Sequence, residues 1–396
     1  MAPRLIERVK RVDLRLTDEQ RQIAELARDF TEREIRPHAA AWDREHRWPR
    51  EVIEAAHALG LTCLPIPARH GGVELGTLET VIVAEEIARG CAGVASSLTL
   101  NDLVIHALLR GGSAAQRERH LRRLAAGAFA AYGMTEPDAG SDIAGIRTRA
   151  VRDGGGWLLH GSKTWITNAP AAELFVIFAK TDPQARHRGI SAFIVERDAE
   201  GLTVGPPLPK LGQRAAPAAE VFLDAVRVDR DALLGSEGEG FSIAMHVFDR
   251  TRPVICAIAV GLMERCLEEG VAHARQRRTM GRAIIEHQAV GHKLAQIAID
   301  AEAARLLTRR AAWLADRGAV NTLAAAAAKA FAADAAMRAA VETVQVFGGL
   351  GYSCELPAEK LLRDAKVLQI YEGTSEIQRN IVVRELSRSM WPRPVG

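Results

Sequence analysis

Between residues 131 and 228 the chain leaves helical periodicity for short β-type runs, and on both sides of that interval the helical pattern prevails. This single change of texture constrains the fold most. Strands gathered in one block, with no strand–helix–strand alternation, argue against a doubly wound dinucleotide fold and for a helix–sheet–helix order. At 396 residues the chain also exceeds the roughly 250–300 at which one hydrophobic core stops growing, so two or three domains are expected.

The first block opens with Thr17-Asp-Glu-Gln20, which has the form of a capping box, and Ile23, Leu26, Ala27 and Phe30 follow at i, i+3, i+4 and i+7. An amphipathic helix ending near Pro37 is predicted. Residues 52–61, 78–88 and 114–124 repeat the pattern. In the second block Trp157-Leu-Leu-His and Lys163-Thr-Trp-Ile flank Gly161-Ser162 and read as a hairpin closed on that dipeptide. Residues 174–179, 190–195 and 221–228 read as further strands, bounded by Asp-Pro, Arg-Gly and Gly-Pro-Pro. Glycines 235, 238 and 240 close the block. Beyond Phe241 lie long helical stretches, among them LAAAAAKAFAADAAMRAAVETVQVF, whose small side chains permit close helix approach. The expected division is 1–129 α-helical, 130–240 β and 241–396 a helix bundle, a mainly α chain with a central β domain.

The 52 basic and 49 acidic residues give a net charge of +3 and are mixed along the chain, so charge makes no case for nucleic acid. Arg275, Arg277 and Arg278 form a local cluster able to meet phosphates. Five cysteines without CxxC spacing argue against a disulfide framework or a zinc site, so no metal is expected and a reducing compartment fits best. The opening MAPRLIERVKRVDLRLTDEQR has no apolar core of the secretory type. Residues 323–346 are interrupted by Lys329, Asp334, Arg338 and Glu342, so no membrane span is expected there. A soluble, cytoplasmic protein is the expectation.

Five stretches carry candidate chemistry. Tyr132-Gly-Met-Thr-Glu-Pro-Asp-Ala-Gly-Ser-Asp142, at the change of texture, is either an interdomain linker or a loop whose hydroxyls and backbone donors cradle a phosphate or a heterocycle edge. In Trp165-Ile-Thr-Asn168 an indole and a hydroxyl share one face of a strand, which suits a flat ring with a polar edge, or merely a core. Thr251-Arg-Pro253 and Arg277-Arg-Thr-Met-Gly281, with His287-Gln288 beyond, offer guanidinium and amide groups at expected helix termini. In QIYEGTSEIQRN, Glu372 precedes a helix with Ser375 as expected N-cap and Gln378 at N3. Its carboxylate either caps and pairs, or reaches a cleft as a general base.

Together these segments resemble the acyl-CoA dehydrogenase family of flavoproteins over nearly the whole chain, with YGMTEPDAGSD and QIYEGTSEIQRN similar to its two signature stretches. KTWITNA, FDRTRP, RRTMGRAIIEHQAV and VQVFGGLGY fall between them in the family's order. The medium- and short-chain enzymes are the nearest in pattern. The resemblance implies an N-terminal α-helical domain, a middle β-barrel or sandwich, a C-terminal four-helix bundle, bound FAD and a homotetramer. By matching motif, Tyr132, Met134, Thr135, Gly140 and Ser141 would line the flavin and its diphosphate, and Trp165, Ile166 and Thr167 would cover its ring. Arg277, Thr279, Gln288, Gln345, Gly348 and Gly349 would reach the adenine end from a neighbouring subunit, while Thr374 and Glu376 close the site.

Glu372 takes the position of the family's catalytic base, removing a proton from the acyl α-carbon while hydride leaves the β-carbon for flavin N5 to give a trans-2-enoyl thioester. Its amide, with a flavin ribityl hydroxyl, would hold the thioester carbonyl. Ser141, Asp249, Arg252, Tyr371 and Gly373 would contact the substrate. Long-chain and isovaleryl relatives draw the base from the position of Thr251, which cannot serve, so a straight or lightly branched acyl chain of short to medium length is implied. Residues 91–109 hold no arginine of the kind the glutaryl enzyme uses for its distal carboxylate. Ala216 and Ala218 stand where the family usually has serine and threonine, Asp229 where proline is common, and Leu350 where the medium-chain enzyme is polar. Fatty-acid β-oxidation with an electron-transfer flavoprotein as acceptor is the implied setting. The same chemistry on an acyl carrier protein thioester, a dioxygen-using variant, and a non-catalytic flavin-binding homologue are the alternatives.

Overall fold

The structure, a computed structural model, describes residues 15–390, so the reading of the first fourteen residues lies outside it. Seven helices come first: α1 (Asp18–Phe30), α2 (Ala39–Glu45), α3 (Arg50–Ala58), α4 (Thr77–Gly90), α5 (Ala92–Leu98), α6 (Asn101–Gly111) and α7 (Ala114–Ala125). Strands follow: β1 (Ala130–Gly133), β2 (Arg149–Asp153), β3 (Gly156–Thr167), β4 (Leu174–Lys180), β5 (Ile190–Glu196), β6 (Leu202–Val204), β7 (Ala218–Asp229) and β8 (Leu233–Leu234). The remainder is α8 (Gly240–Gln276), a hairpin of β9 (Arg278–Thr279) and β10 (Arg282–Ala283), α9 (Gln288–Asp316), α10 (Thr322–Phe347), α11 (Pro357–Lys366) and α12 (Ser375–Met390). The chain divides into two compact units: one runs up to Ala40, then Thr77–Ala92 and from Arg252 on, and the other holds Ala41–Gly76 and Gly93–Thr251.

In the first unit α1 begins as expected, with Thr17 and Gln20 exchanging side-chain and backbone hydrogen bonds of 3.1 Å each. A π-helical turn, Thr31–Ile35, continues α1 almost to Pro37. Fifteen residues of α10 are buried, eleven of them alanines, because the small side chains let neighbouring helices close on it.

The second unit is built on one sheet in the order β6-β7-β3-β2-β4-β5-β8, with β1 parallel to β4. Alternate residues of β4 enter different cores. Leu174, Val176 and Phe178 pack with Leu108, Leu121, Ile243 and Val247. Phe175, Ile177 and Ala179 pack with Trp157, Phe193, Val221 and Val226 on the other face. A strand buried on both faces reads as a continuous apolar run, which is why 174–179 showed no alternation. The apolar stretch 92–111 is long enough to cross a membrane by length and composition, but it is split between α5 and α6 and mostly buried within the protein.

Two expectations are corrected. Gly161-Ser162 is not a hairpin turn: β3 passes straight through it, pairing with β7, and the hairpin closes earlier, at Gly154-Gly155 between Asp153 and Gly156. Gly154 takes the positive φ, +58, that this turn uses. Gly161 instead marks a bulge, at φ +147, where a Cβ would lie 2.6 Å from Thr148 Oγ1. Thr251-Arg-Pro253 likewise lies inside α8 rather than at a terminus. Proline there removes a hydrogen bond to the Asp249 carbonyl, at a cost of about 3 kcal/mol. Burial of Val254, Cys256, Ala257, Ile258 and Val260 immediately after it outweighs that cost.

Candidate active site

The first unit positions Glu372 on a turn between a short 3-10 segment, Val367–Gln369, and α12. Glu372 has φ +51 and Gly373 φ +92, two successive left-handed residues of which only glycine is at ease there. The turn is held through its carbonyls. Gln378 Nε2 donates to the Glu372 carbonyl at 3.1 Å and to the Gly373 carbonyl at 3.0 Å. Lys329 Nζ of α10 donates to the Gly373 carbonyl at 2.8 Å, and Arg252 Nε of α8 to the Glu372 carbonyl at 3.4 Å. Gln378, Lys329 and Arg252 are all buried, whereas Tyr371 and Glu372 are half-buried. Fastening the backbone from below fixes where the carboxylate starts.

The expected N-cap moves by one residue. Thr374 caps α12: its carbonyl accepts from the Gln378 N–H at 2.9 Å and its hydroxyl from the Ile377 N–H at 3.3 Å. Ser375 is drawn away by Asp334, to which its hydroxyl donates at 2.8 Å; Gln369 Nε2 (2.7 Å) and Arg379 Nη2 (2.6 Å) reach the same carboxylate. Glu376 is exposed, and its own backbone N–H and the Thr374 hydroxyl hold its carboxyl below the ordinary range.

Arg277, Thr279, Gln288, Gln345, Gly348 and Gly349 are exposed at one end of the bundle, where His273 of α8 stacks on Phe347 of α10 at 4.3 Å between ring centroids. They do not join Glu372. At about 1.5 Å per residue, Arg252 and Arg277 are separated by about 37 Å along α8.

In the second unit Tyr132 lies on β1, its ring 4.9 Å from that of Phe178, and Met134 is buried beside it. The loop that follows is organised by a buried pair: Glu136 accepts from Lys163 Nζ at 2.7 Å, from the Arg147 N–H at 2.5 Å and from the Thr148 N–H at 3.0 Å. Lys163 also donates to the Met134 carbonyl at 3.2 Å. Burial pushes Lys163 down to about 8. For Glu136, burial works the other way, but Lys163 and the backbone N–H groups hold its carboxyl below the ordinary range. The pair leaves Thr135, Gly140 and Ser141 on the outer side of the loop, with both Gly140 and Ser141 exposed.

On β3 a second irregularity, between Lys163 and Ile166, puts Trp165 at φ +61. Ile166 turns into the core while Trp165 remains 57% exposed and Thr167 half-buried. The core alternative for Trp165 is thereby corrected: its indole stands in solvent on a left-handed backbone. Asp249 is half-buried on α8. A flat heterocycle with a polar edge fits these residues, since the indole offers a face, Thr167 a hydroxyl, and the 135–141 loop open backbone and a serine. Sequence reasoning assigned no site role to Glu136, Lys163, Lys329 or Asp334, and placed Gln378 only at N3 of the following helix. The one available signal was Lys329, a lone cation in a run of alanines.

Three consecutive stretches match family models: residues 17–128 the acyl-CoA dehydrogenase N-terminal domain, 131–226 the middle domain and 238–387 the C-terminal domain. The chain belongs to the acyl-CoA dehydrogenase family, flavoprotein oxidoreductases that act on a CH–CH bond with FAD as cofactor. It is 41% identical over 376 residues to "Probable acyl-CoA dehydrogenase FadE25" of Mycobacterium tuberculosis, covering 94% of this chain and 97% of that one. Butyryl-CoA dehydrogenase from Megasphaera elsdenii superposes with TM-score 0.93 at 36% identity, over 95% of this chain and all of that one. The prolyl acyl carrier protein oxidase AnaB gives TM-score 0.91 at 32% identity, over 94% and 100%.

Proposed function

We propose that this chain oxidises a short- to medium-chain acyl-CoA to the trans-2-enoyl thioester, with Glu372 as the base that takes the α-proton. The observation that supports it is the turn clamped by Gln378, Lys329 and Arg252, which holds the backbone of a half-buried carboxylate in place. FAD, when bound, supplies the acceptor for the hydride that leaves the β-carbon. The Glu372 N–H is the donor for the thioester carbonyl, stabilising the charge that develops as the α-proton departs. An acyl chain packed over Glu372 excludes water and strengthens that contact.

Trp165, Ile166 and Thr167 are assigned to the flavin ring, and Tyr132, Met134, Thr135, Gly140 and Ser141 to the ring edge and diphosphate. Arg277, Thr279, Gln288, Gln345, Gly348, Gly349, Thr374 and Glu376 are assigned to the remainder of the cofactor. Asp249, Arg252, Tyr371 and Gly373 are the substrate contacts. Thr251, the other family position for a base, is buried and its hydroxyl is turned onto the Val247 carbonyl at 3.3 Å, which supports Glu372 and a chain of modest length. Electron-transfer flavoprotein is the proposed acceptor and a homotetramer the proposed assembly. Met280 and Tyr352, 93% and 88% exposed in the first unit, are apolar surface consistent with subunit contacts.

The likeness to a carrier protein oxidase favours one second reading, the same oxidation of an acyl group on an acyl carrier protein. Anaerobic titration with thioesters from butyryl- to dodecanoyl-CoA tests both. Bleaching of the flavin by one length class, lost in Glu372→Gln while FAD stays bound, is expected. Bleaching only by acylated carrier protein selects the second reading, and bleaching that survives in Glu372→Gln removes the assignment of the base.

A further inference from the structure

Lys329 is a fully buried cation in the middle of α10, among buried alanines at 325, 326, 328, 332 and 333. A charge in such a place is costly unless something compensates it. Its hydrogen bond to the Gly373 carbonyl does not by itself account for a cation, because Gln378 already serves that carbonyl and its neighbour with a neutral amide. The groups that act on the ammonium electrostatically include Arg252 and Cys256 from α8, Asp334 from α10 and Glu372 from the turn. Arg252 has the same sign. Cys256 is pushed up to about 12 by burial and is neutral at ordinary pH. Asp334 is occupied by Gln369, Ser375 and Arg379. That leaves Glu372 as the carboxylate for which Lys329 is the countercharge.

We infer that Lys329 is a positioning residue for the base, tying down the Gly373 carbonyl and keeping the Glu372 carboxylate ionised when an acyl chain displaces water from it. The inference rests on Glu372 being the base. Burial pushes Lys329 down to about 8, with Arg252 acting in the same direction and Glu372 pulling it back.

The test follows the Glu372 carboxyl directly, as the infrared band of a protonated carboxyl that titrates with pH and is missing in Glu372→Gln. It compares the wild-type holoenzyme with Lys329→Met, Lys329→Gln and Lys329→Arg. Met and Gln remove the charge, and Gln keeps a donor for the Gly373 carbonyl. Both are expected to move the titration, and with it the acid limb of flavin reduction, to higher pH by about one unit or more, since a nearby cation favours the ionised form. KM for the thioester stays within about twofold in Lys329→Gln, which keeps a donor for the Gly373 carbonyl, and Arg returns the midpoint towards wild type. Where Met fails to fold, Gln carries the comparison. An unmoved midpoint, or a shift with Met but none with Gln, overturns the inference. Flavin reduction persisting in Glu372→Gln overturns the base assignment instead, so the two failures are told apart.

Discussion

Glu136 and Lys163 show how much a single residue can decide in this molecule. Their carboxylate and ammonium are buried together beneath the loop proposed to hold the flavin, with two backbone N–H groups completing the site. Removing one partner strands the other charge in an apolar setting. Glu136→Gln is therefore expected to lower stability at pH 7 by about 3–5 kcal/mol, measured by denaturant unfolding. The carboxyl of Glu136 sits below its ordinary value in the folded state, so its stabilisation is complete above the unfolded pKa, near 4.3, and is lost as pH falls through the folded value. The gap between wild type and variant should accordingly close on acidification. A constant gap down to pH 3 would mean the pair acts by shape and not by charge.

Between elements, α4 and α9 are joined by Arg305, whose guanidinium meets Glu85 at 2.8 Å and Glu302 at 2.6 Å and also reaches Glu264 of α8. Burial raises the Glu85 carboxyl above its ordinary range, and Arg305 and Arg309 oppose that shift. With Arg305→Met a buried carboxylate loses its main partner, and a loss of about 3–5 kcal/mol at pH 7 is expected. The sign with pH is opposite to that for Glu136. A carboxyl raised in the folded state is favoured when protonated, so the variant recovers part of its stability as pH falls from 7 towards the raised folded value of Glu85. Thermal unfolding across that range reads it directly, and further loss on acidification would contradict it.

For the whole molecule the separation along α8 matters most. Arg277 lies about 37 Å from Arg252 by helix rise, and the proposed assembly has a second subunit supply the cofactor end to which Arg277 is assigned. Met280→Asp combined with Tyr352→Asp is expected to lower the sedimenting mass and, with it, weaken FAD retention about tenfold, or about 1.4 kcal/mol. Retained flavin in a dissociated protein would separate assembly from cofactor binding. Stripping FAD from wild type should lower its thermal midpoint, and adding back a 100-fold excess over Kd should restore about 2.7 kcal/mol.

Periodicity alone determined the order of helices and strands, because burying one face imposes a repeat of 3.6 or 2 on the residues that do it. Motif spacing was enough to single out Glu372, Trp165 and the 132–142 loop, since side chains that work together near a turn or on one strand are close in the chain. The tertiary structure alone decided that Gly161 is a bulge and not a turn, because the reason is Thr148, a residue from elsewhere in the chain. It also decided that Pro253 sits inside a helix, where burial overrides a local preference. The partners of Lys163 and Lys329 were beyond sequence for the same physical reason. A buried charge is defined by what surrounds it in space, and Lys329 is 44 residues from the carbonyl it holds.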